Sequence, residues 1–388
     1  MIPNRQCSPL EVILKLFRGA VCAFGLLLAL AAGPAFSQDV HQLLYNNSNW
    51  ADQNLNSPAN GSSLAAFVTT PNDQEHVYYV ATTSHVHQLF YNGTSWGDED
   101  LTTLSGGPSA GYSVAGFSVG NYQYVYYVTA KAPYHVHQLL YNNLSWADSD
   151  LSALSGASKQ ANNAYRIVAF TTSPALHVYY QEYATNNIHQ LYSTNTTTWQ
   201  DQNLTALTRA PQPSYMWAGF NIGNLQYVYY QDLNLDIHQL DYNDSNWSDT
   251  DLTATTTAPK AVGFTGTAFL IPGTKKMRIY YVNQANNHLT QLSSTNGKSW
   301  TSADLTKKSG GPLPQGGDSL LAFATTPNEG IHVFYESGNH INQLYQPTAS
   351  TWANQDLTTL TGASAAVSYT RLAGFSLQNY QYVYYVAQ

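Results

Sequence analysis

The sequence predicts an all-β fold, a seven-bladed β-propeller built from four-stranded antiparallel blades. One phrase recurs seven times along the 388 residues, and every copy ends in a tryptophan about fifty residues from the next: Trp50, Trp96, Trp146, Trp199, Trp247, Trp300 and Trp352. A period in this range indicates a repeat architecture. Each copy also contains four short runs rich in Val, Tyr, Phe and Leu, bounded by turn residues, which is typical of strands. Four strands repeated seven times indicate a propeller.

The first full copy shows the four expected strands. They are predicted at residues 64–69, 76–81, 86–91 and 96–101. The first run is the most uniformly apolar, so we expect it to be the innermost strand, next to the axis. No later segment shows a sustained helical periodicity, so no helix is expected after the N-terminal segment.

The two ends of the repeat region each hold half a unit. Residues 40–45 and 50–55 read as strands three and four, and residues 371–377 and 382–386 read as strands one and two. Neither half can satisfy its strand edges alone. We therefore expect the two halves to form one blade that closes the ring, and residues 38–388 to form a single domain.

Residues 1–37 resemble a secretory signal peptide. Arg5, Lys15 and Arg18 precede or begin an apolar run at residues 20–32, and small residues before Gln38 suit cleavage. A single membrane anchor is the alternative. The prediction is a secreted protein, extracellular or periplasmic, with no membrane span in the mature chain. Both cysteines, Cys7 and Cys22, lie in this segment, so the mature chain has no disulfide.

The charge balance excludes one class of partner. The N-terminal segment holds three basic residues and one acidic residue, so 12 basic and 22 acidic residues remain in the mature chain. An acidic chain does not bind nucleic acid non-specifically. Asn, Thr, Ser, Gln and Tyr dominate instead, which favours a polar hydrogen-bonding surface with aromatic platforms.

The hairpins of the repeat predict a cleft between blades. With the second and third strands turning about Thr82, His76 is expected opposite Gln88, and Tyr91 opposite Trp96 across the next hairpin. Opposed residues share a face, whereas the two pairs point to opposite faces. The polar pair of one blade should therefore meet the aromatic pair of its neighbour. Such a cleft suits a sugar, whose apolar face stacks on aromatic rings. The alternative is that these residues only pack the blades together.

The pattern x-V-Y-Y…Q-L-x-Y-N-G-x-S-W resembles the blade of the fucose-specific lectin family of fungi and bacteria. Those proteins are β-propellers with sugar sites between blades, in which an Arg and a Glu hold the fucose and aromatic side chains of the neighbouring blade stack on it. The resemblance places the family's Arg position at His76, Tyr124, His177, Tyr227, Arg278, His332 and Tyr382. The Glu position is always glutamine: Gln42, Gln88, Gln138, Gln190, Gln239, Gln291 and Gln343.

The resemblance implies glycans as partners, fucose-type glycans among them, and four best-equipped clefts. The implied carbohydrate-binding residues are His76, Gln88, Tyr141 and Trp146; His177, Gln190, Tyr242 and Trp247; His332, Gln343, Tyr45 and Trp50; and Arg278, Gln291 and Trp352. The three clefts with Tyr at the Arg position are expected to be filled or inactive. Because His replaces Arg in three clefts, we also expect these histidines to protonate and strengthen sugar binding between about pH 7.5 and 5.5.

No catalytic, cofactor or metal site is predicted. His85 and His87, and likewise His135 and His137, lie two apart on a strand face, but no consistent carboxylate accompanies them in the sequence. Aspartates near each Trp are expected in turn and edge roles rather than as calcium ligands. The sequence therefore predicts a multivalent lectin and not an enzyme. A non-catalytic protein-binding scaffold and a sialidase-like propeller hydrolase are the alternatives, and the oligomeric state is left open.

Overall fold

A computed structural model describes residues 38–57, 63–157, 160–162, 164–315, 319–348 and 351–388. The predicted signal peptide, residues 1–37, lies outside these residues together with both cysteines, so it stays a prediction. Within the part of the chain that the structure describes, none of the helices combines the length and apolar character that crossing a membrane requires.

Seven four-stranded antiparallel sheets make up the described chain, which confirms the predicted propeller. Blades 1 to 3 consist of β3 (Leu64–Thr69), β4 (Gln74–Val80), β5 (Val86–Tyr91) and β6 (Trp96–Asp100); β7 (Ala110–Val119), β8 (Tyr122–Thr129), β9 (Val136–Tyr141) and β10 (Trp146–Asp150); and β11 (Val168–Thr171), β12 (Leu176–Gln181), β13 (Ile188–Ser193) and β14 (Gln200–Asn203). Blades 4 to 6 consist of β15 (Pro213–Ile222), β16 (Leu225–Asp232), β17 (Ile237–Tyr242) and β18 (Trp247–Asp251); β19 (Ala261–Leu270), β20 (Met277–Asn283), β21 (Leu289–Ser294) and β22 (Trp300–Asp304); and β23 (Leu320–Ala324), β24 (Ile331–Ser337), β25 (His340–Thr348) and β26 (Thr351–Asp356).

Blade 7 joins the two ends of the chain, as predicted. Its strands are β1 (Val40–Tyr45), β2 (Trp50–Asn54), β27 (Ala373–Leu377) and β28 (Tyr380–Val386), in the order β2-β1-β28-β27. Every residue of β1 pairs with β28 in antiparallel register, from Val40 opposite Val386 to Tyr45 opposite Gln381. The pairing removes the open edges that the half-blades would otherwise expose.

The first strand of each blade is the innermost, which confirms the prediction. Each first strand contacts the first strand of the next blade, and β27 of blade 7 contacts β3 of blade 1, so the contacts form a closed ring. The most buried strand, however, is the second. In blade 1 Val77, Tyr78 and Tyr79 have no exposed surface. Two consecutive tyrosines are buried here because one faces each neighbouring blade.

In the part of the chain that the structure describes, six five-residue helices follow the outer strands, and the sequence pattern did not predict them. They are α1 (Leu101–Ser105), α2 (Leu151–Ser155), α3 (Leu204–Thr208), α4 (Leu252–Thr256), α5 (Leu305–Ser309) and α6 (Leu357–Thr361). One turn is too short to show a helical periodicity. The signal that the sequence does carry is the cap: Asp100 accepts a hydrogen bond from the backbone N–H of Thr103, and the same capping geometry recurs in the other five. The fourth strand of blade 1 accordingly ends at Asp100, one residue before the predicted limit.

The register between the second and third strands also differs from the prediction. His76 pairs with Phe90 and Tyr78 pairs with Gln88, a shift of two residues from the expected His76–Gln88 pair. In the connection the backbone N–H of Ala81 donates to the oxygen of His85, and that of Ser84, which lies in the left-handed region, donates to the oxygen of Ala81. The connection is therefore centred on Thr83 rather than Thr82. Because side chains alternate with a period of two, a shift of two leaves every side chain on its predicted face.

Candidate functional site

The two faces of each blade differ in chemistry. In blade 1 one face carries His76, Tyr78 and Gln88, and the other carries Tyr91 and Trp96. Tyr91 and Trp96 are directly opposed, as predicted, with ring centroids 5.6 Å apart. The same pair recurs at similar distances in three other blades: Tyr45 with Trp50, Tyr141 with Trp146 and Tyr242 with Trp247.

A cleft of about 470 Å³ lies between blades 1 and 2. Its floor includes His76 and Gln88 of blade 1, and its wall is formed by Tyr141 and Trp146 of blade 2. The polar face of one blade thus meets the aromatic face of the next, as the sequence predicts. The rim adds residues that the sequence did not single out: Gln74, Phe90, Glu99, Leu104, Leu144 and Ser145.

The floor of this cleft is a hydrogen-bonded network that crosses between blades. The amide Nε2 of Gln88 donates to Nδ1 of His76 at 2.6 Å and to Oε1 of Gln123 in blade 2 at 3.0 Å. The hydroxyl of Tyr78 also donates to Gln123. His76 and Gln88 are 4% and 3% exposed, so these groups are held rigidly by one another rather than by solvent.

The network requires a neutral His76. Its Nδ1 accepts from Gln88, so the ring proton lies on Nε2, which donates to Oγ1 of Thr69 at 3.1 Å. Burial lowers the pKa of His76 to about 4, and it does the same for the equivalent His177 and His332. The expectation that these histidines protonate between pH 7.5 and 5.5 is therefore wrong. The physical reason is that the folded protein desolvates the imidazole and uses its lone pair as an acceptor.

Blades 3 and 4 repeat the cleft with the predicted residues. His177 and Gln190 line one side, and Tyr242 and Trp247 line the other, in a cleft of about 560 Å³. Gln190 donates to Nδ1 of His177 at 2.9 Å and to Gln226 of blade 4 at 2.8 Å.

Blades 6 and 7 carry the same network. Gln343 donates to Nδ1 of His332 at 2.9 Å and to Oε1 of Gln381 in blade 7 at 2.7 Å. Phe334 replaces the tyrosine of the other two networks, and Trp50 of blade 7 packs against it with ring centroids 6.0 Å apart. The structure therefore brings His332, Gln343 and Trp50 to the same inter-blade boundary.

The fourth predicted cleft, between blades 5 and 6, is built differently. Arg278 donates from Nη1 to the backbone oxygen of Met277 at 2.8 Å, and its buried Nε has no hydrogen-bond partner among the described residues. Gln291 donates to Tyr280 at 3.1 Å rather than to a side chain of blade 6. Trp352 is half-buried in the apolar cluster that blades 5 and 6 share. The guanidinium is thus turned towards the backbone of its own blade.

The clefts with tyrosine at the Arg position are occupied by side chains. Tyr124 belongs to the same apolar cluster as Leu176 and Trp199, and Trp199 is only 3% exposed. In the next such boundary the hydroxyl of Tyr229 lies 3.5 Å from the sulfur of buried Met277. An apolar residue thus takes the place that Gln123 holds in the cleft between blades 1 and 2.

At the boundary between blades 7 and 1, the position equivalent to Gln123 is a carboxylate, Glu75. Glu75 accepts hydrogen bonds from Gln42 at 2.8 Å and from Tyr384 at 3.0 Å. Burial raises the pKa of Glu75, an effect that these two hydrogen bonds oppose.

One residue of each network, the glutamine from the following blade, was not predicted from the sequence. These residues are Gln123, Gln226 and Gln381. The signal was available, because Gln-Tyr-Val-Tyr-Tyr occurs only in blades 2, 4 and 7. Each of these blades follows a blade with His at the Arg position.

The structure also corrects the interpretation of the paired histidines. Asp100 is paired in register with His87, and Asp150 with His137, so a carboxylate does accompany each pair. This proximity is not evident from the sequence, because the aspartate lies on the next strand, 13 residues after the second histidine. Asp98 has a structural role of the expected kind, since it accepts from Tyr79 at 2.7 Å and from His87 at 3.0 Å.

The sequence matches the family described as fungal fucose-specific lectin over residues 169–366, just over half of the chain. The chain belongs to this family. Membership makes it a carbohydrate-binding lectin, and the three His–Gln–Gln networks facing Trp are this lectin's most regular inter-blade features.

Two solved structures share the fold of this lectin at low sequence identity. The lectin of Aleuria aurantia, bound to Fucα1-6GlcNAc, is 17% identical with a TM-score of 0.52, over 76% of this chain and 94% of that one. It is a six-bladed propeller, so this lectin has one blade more. AofleA of Arthrobotrys oligospora is 12% identical with a TM-score of 0.53, over 90% and 94% of the two chains. At these identities the likeness shows the fold alone. A search of curated proteins found no match.

Proposed function

We propose that this lectin binds glycans, with fucose-type glycans the first candidates, in the clefts between blades 1 and 2, 3 and 4, and 6 and 7. One observation carries the proposal: the same buried network of one His and two Gln recurs at these three boundaries, opposite a half-buried Trp of the following blade. Binding occurs without catalysis, as in a lectin rather than a propeller hydrolase.

The chemistry of each cleft fits a monosaccharide. Trp146 and Tyr141 offer ring surface on which the C–H face of a sugar can stack. The edge of the network, at Gln88 and Gln123, offers polar groups of fixed orientation to the hydroxyls. His76 positions Gln88 in this scheme, because both of its ring nitrogens are already hydrogen-bonded within blade 1.

Several clefts on one rigid ring favour binding to surfaces. A single open sugar site is weak, because hydroxyl contacts largely exchange with water contacts. Once one cleft is occupied, the others meet the same surface at an effective concentration of about 1 mM, and avidity rises about 10²–10⁴-fold. We therefore expect this lectin to bind glycan-coated surfaces far better than free monosaccharide.

A fourth cleft, between blades 5 and 6, has a different chemistry. Arg278 keeps the residue type of the family's sugar-binding Arg. Its Nε is a buried donor that has no hydrogen-bond partner among the described residues. Rotation of the guanidinium towards Trp352 would offer a charged donor to a ligand. We expect this cleft to bind more weakly than the other three, because that rotation breaks the hydrogen bond to Met277.

The test combines a glycan array with agglutination. The full chain is expected to bind a restricted set of glycans on the array and to agglutinate cells that carry them. Substitution of Trp50, Trp146 and Trp247 by Ala should abolish agglutination while circular dichroism shows retained strand structure.

The matched control replaces Trp96 and Trp300, which lie at the boundaries that have Tyr at the Arg position, and should agglutinate normally. A folded triple variant that agglutinates fully would contradict the assignment of the clefts. Binding of no glycan would contradict the function, and release of a sugar product would indicate an enzyme.

We also propose that this lectin is secreted after removal of residues 1–37. The positive residues and the apolar run of this segment support the proposal. Expression in a secreting host should yield a protein in the medium whose N-terminal residue is Gln38. Retention of the intact N-terminus in the membrane fraction would favour the anchor instead.

A further inference from the structure

Blades 1 and 2 each carry two histidines and an aspartate side by side. In blade 1 these are His85 just before β5, His87 within β5 and Asp100 at the end of β6. One ligand atom from each of the three lies within 4.8 Å of the others. None of the three lines the cleft between blades 1 and 2, although the neighbouring Gln88 and Glu99 do. Because side chains alternate along a strand, His87 and Asp100 point to the other face of the blade. Blade 2 repeats the set with its corresponding residues, His135, His137 and Asp150.

We propose that each set binds a Zn²⁺ ion through both imidazoles and the carboxylate. Zinc accepts mixed imidazole and carboxylate ligands in tetrahedral geometry, and a site with three protein ligands leaves the fourth position for water. Imidazole nitrogens favour zinc and its transition-metal neighbours over Mg²⁺ and Ca²⁺, which prefer all-oxygen sites. The full chain then holds two such ions, one per set.

The inner histidine of each set is already oriented as a metal ligand. His87 donates from Nδ1 to Asp98 at 3.0 Å, and Asp98 accepts a second hydrogen bond from Tyr79 at 2.7 Å. The proton therefore lies on Nδ1, and the Nε2 lone pair faces Oδ2 of Asp100 at 4.0 Å. Metal-binding histidines almost always make this second hydrogen bond to a carboxylate or carbonyl, which fixes the tautomer and the ring.

The equivalent contacts in blade 2 have the same geometry. His137 donates to Asp148 at 2.8 Å, Asp148 accepts from Tyr127 at 2.8 Å, and Nε2 of His137 lies 3.8 Å from Asp150. The arrangement is therefore a reproducible product of the blade and not a single coincidence of loop conformation.

The distances need only small adjustments to admit an ion. Ligand atoms about 2.1 Å from a tetrahedral zinc lie roughly 3.4 Å apart. Nδ1 of His85 is 2.7 Å from Asp100, a hydrogen bond whose shared proton the ion would replace. That contact must widen by roughly 0.7 Å, and the 4.0 Å contact of His87 must shorten by roughly 0.6 Å. The side chains of His85 and Asp100 are 32% and 31% exposed, so an ion can reach them from solvent.

The remaining blades separate this proposal from a purely structural role. His288 and His340 bond the helix-capping Asp304 and Asp356 at 2.7 Å, as His85 bonds Asp100. Support of a helix cap therefore needs one histidine only. Each of the five other blades has a residue other than histidine at one of the two positions: Asp39, Asn187, Asp236, Thr290 and Asn342. Blades 1 and 2 alone combine both imidazoles with the capping aspartate.

The test is zinc stoichiometry on the full chain, prepared without a polyhistidine tag and stripped with a chelator. Isothermal titration with ZnCl₂ gives the number of ions bound, and CoCl₂ gives the visible absorption of a tetrahedral site. The variants His85→Asn and His135→Asn use the residue that blade 3 carries at this position. We expect each single variant to bind one Zn²⁺ fewer than the wild type, and the double variant to bind two fewer. Zinc should also raise the Tm of the wild type and not that of the double variant.

The matched control replaces His288 and His340 by Asn, which removes the same cap contact from blades without a second histidine. The control should keep the wild-type zinc stoichiometry, and CaCl₂ should give no heat with any variant. Equal zinc binding by the wild type and the double variant overturns the proposal, as does an equal loss in the control. Because the readout is metal binding and Tm, the result does not depend on whether the clefts bind sugar.

Discussion

Trp146 of blade 2 packs edge-to-face against Tyr78 of blade 1, with ring centroids 6.3 Å apart and ring planes at 74°. Trp247 and Trp50 make the same contact with Tyr179 and Phe334 of their preceding blades. Phe334 has no hydroxyl, so the contact depends on the ring alone. These tryptophans therefore pack the blades together, and Trp146 and Trp247 also line the two clefts. The packing and sugar-stacking interpretations of the repeat are thus not exclusive.

Replacing Trp146 by Ala should remove one sugar site at moderate cost in stability. Trp146 is half-buried, so we expect the free energy of unfolding to fall by about 1–3 kcal/mol, less than the ~3–5 kcal/mol of a fully buried ring. Titration with the best glycan from the array should then count one site fewer. Trp199→Ala is the control, because Trp199 is 3% exposed in an apolar cluster. It should cost about 3–5 kcal/mol and leave the number of sites unchanged. An unchanged site count in W146A would mean that Trp146 only packs.

Acid should weaken the fold through His177 without affecting sugar binding above pH 5.5. The folded pKa is lowered to about 4, whereas the unfolded chain takes up a proton near pH 6.5. The unfolded state therefore binds more protons in this window, and stability falls as the pH drops from about 6.5 towards 4. Tyr179, which hydrogen-bonds the same Gln190, has its pKa raised well above 10 by burial and stays neutral throughout.

The measurement is the free energy of unfolding at pH 7 and pH 4.5 for the wild type and His177→Gln. The variant lacks the titrating group, so it should lose about 2 kcal/mol less between these pH values. Glycan affinity of the wild type should be flat from pH 7.5 to 5.5, because His177 stays neutral there. Equal pH dependence of stability in both proteins would show that His177 does not titrate as its burial implies.

Glu99 should make the cleft between blades 1 and 2 different from its two counterparts. It opposes Gln88 across β5 and β6, where the other two clefts have Gln202 and Gln355. Those glutamines donate to the network glutamine, whereas an ionised carboxylate can only accept. Hydrogen bonds from sugar hydroxyls to a carboxylate are stronger than those to an amide.

For the three clefts that contain His, we therefore expect glycan titration to resolve two affinity classes, one site and two sites. Glu99→Gln should weaken glycan binding in the cleft between blades 1 and 2 by about 1 kcal/mol, roughly fivefold. The two affinity classes should then become one. Ser149→Ala alters the equivalent position of blade 2, whose boundary is filled, and should leave the titration unchanged. A single class in the wild type would count against a role of Glu99 in binding.

Ring closure should control the stability of the whole propeller. Deletion of residues 369–388 removes β27 and β28 and leaves β1 without its inner partner. We expect a markedly lower Tm and a tendency to aggregate, because the edge of β1 that pairs with β28 becomes exposed. A circular permutant that joins Gln388 to Gln38 and opens between Gly93 and Thr94 retains all four strands of blade 7. It should keep the wild-type Tm, and a deletion variant with the same Tm would disprove closure by strand pairing.

Much of the architecture follows from the sequence because each repeat carries the same short-range pattern of strands and turns. Strand period, turn residues and the split blade at the two ends suffice to predict seven blades and their closure. The faces of His76, Gln88, Tyr91 and Trp96 were also predictable, since alternation along a strand fixes them even when the register is shifted by two residues. The short capped helices could not be predicted, because a single helical turn is too short to show a helical periodicity.

Only the tertiary structure decided what the polar residues do. Gln88 meets Gln123 because blades pack face to face, a contact between residues 35 positions apart that no local pattern encodes. Asp100 joins His85 and His87 in the same way, through pairing with the next strand. The protonation state of His76 was likewise out of reach of the sequence, because burial in the folded protein lowers its pKa to about 4. Desolvation depends on what surrounds a group, and those surroundings exist only once the ring has closed.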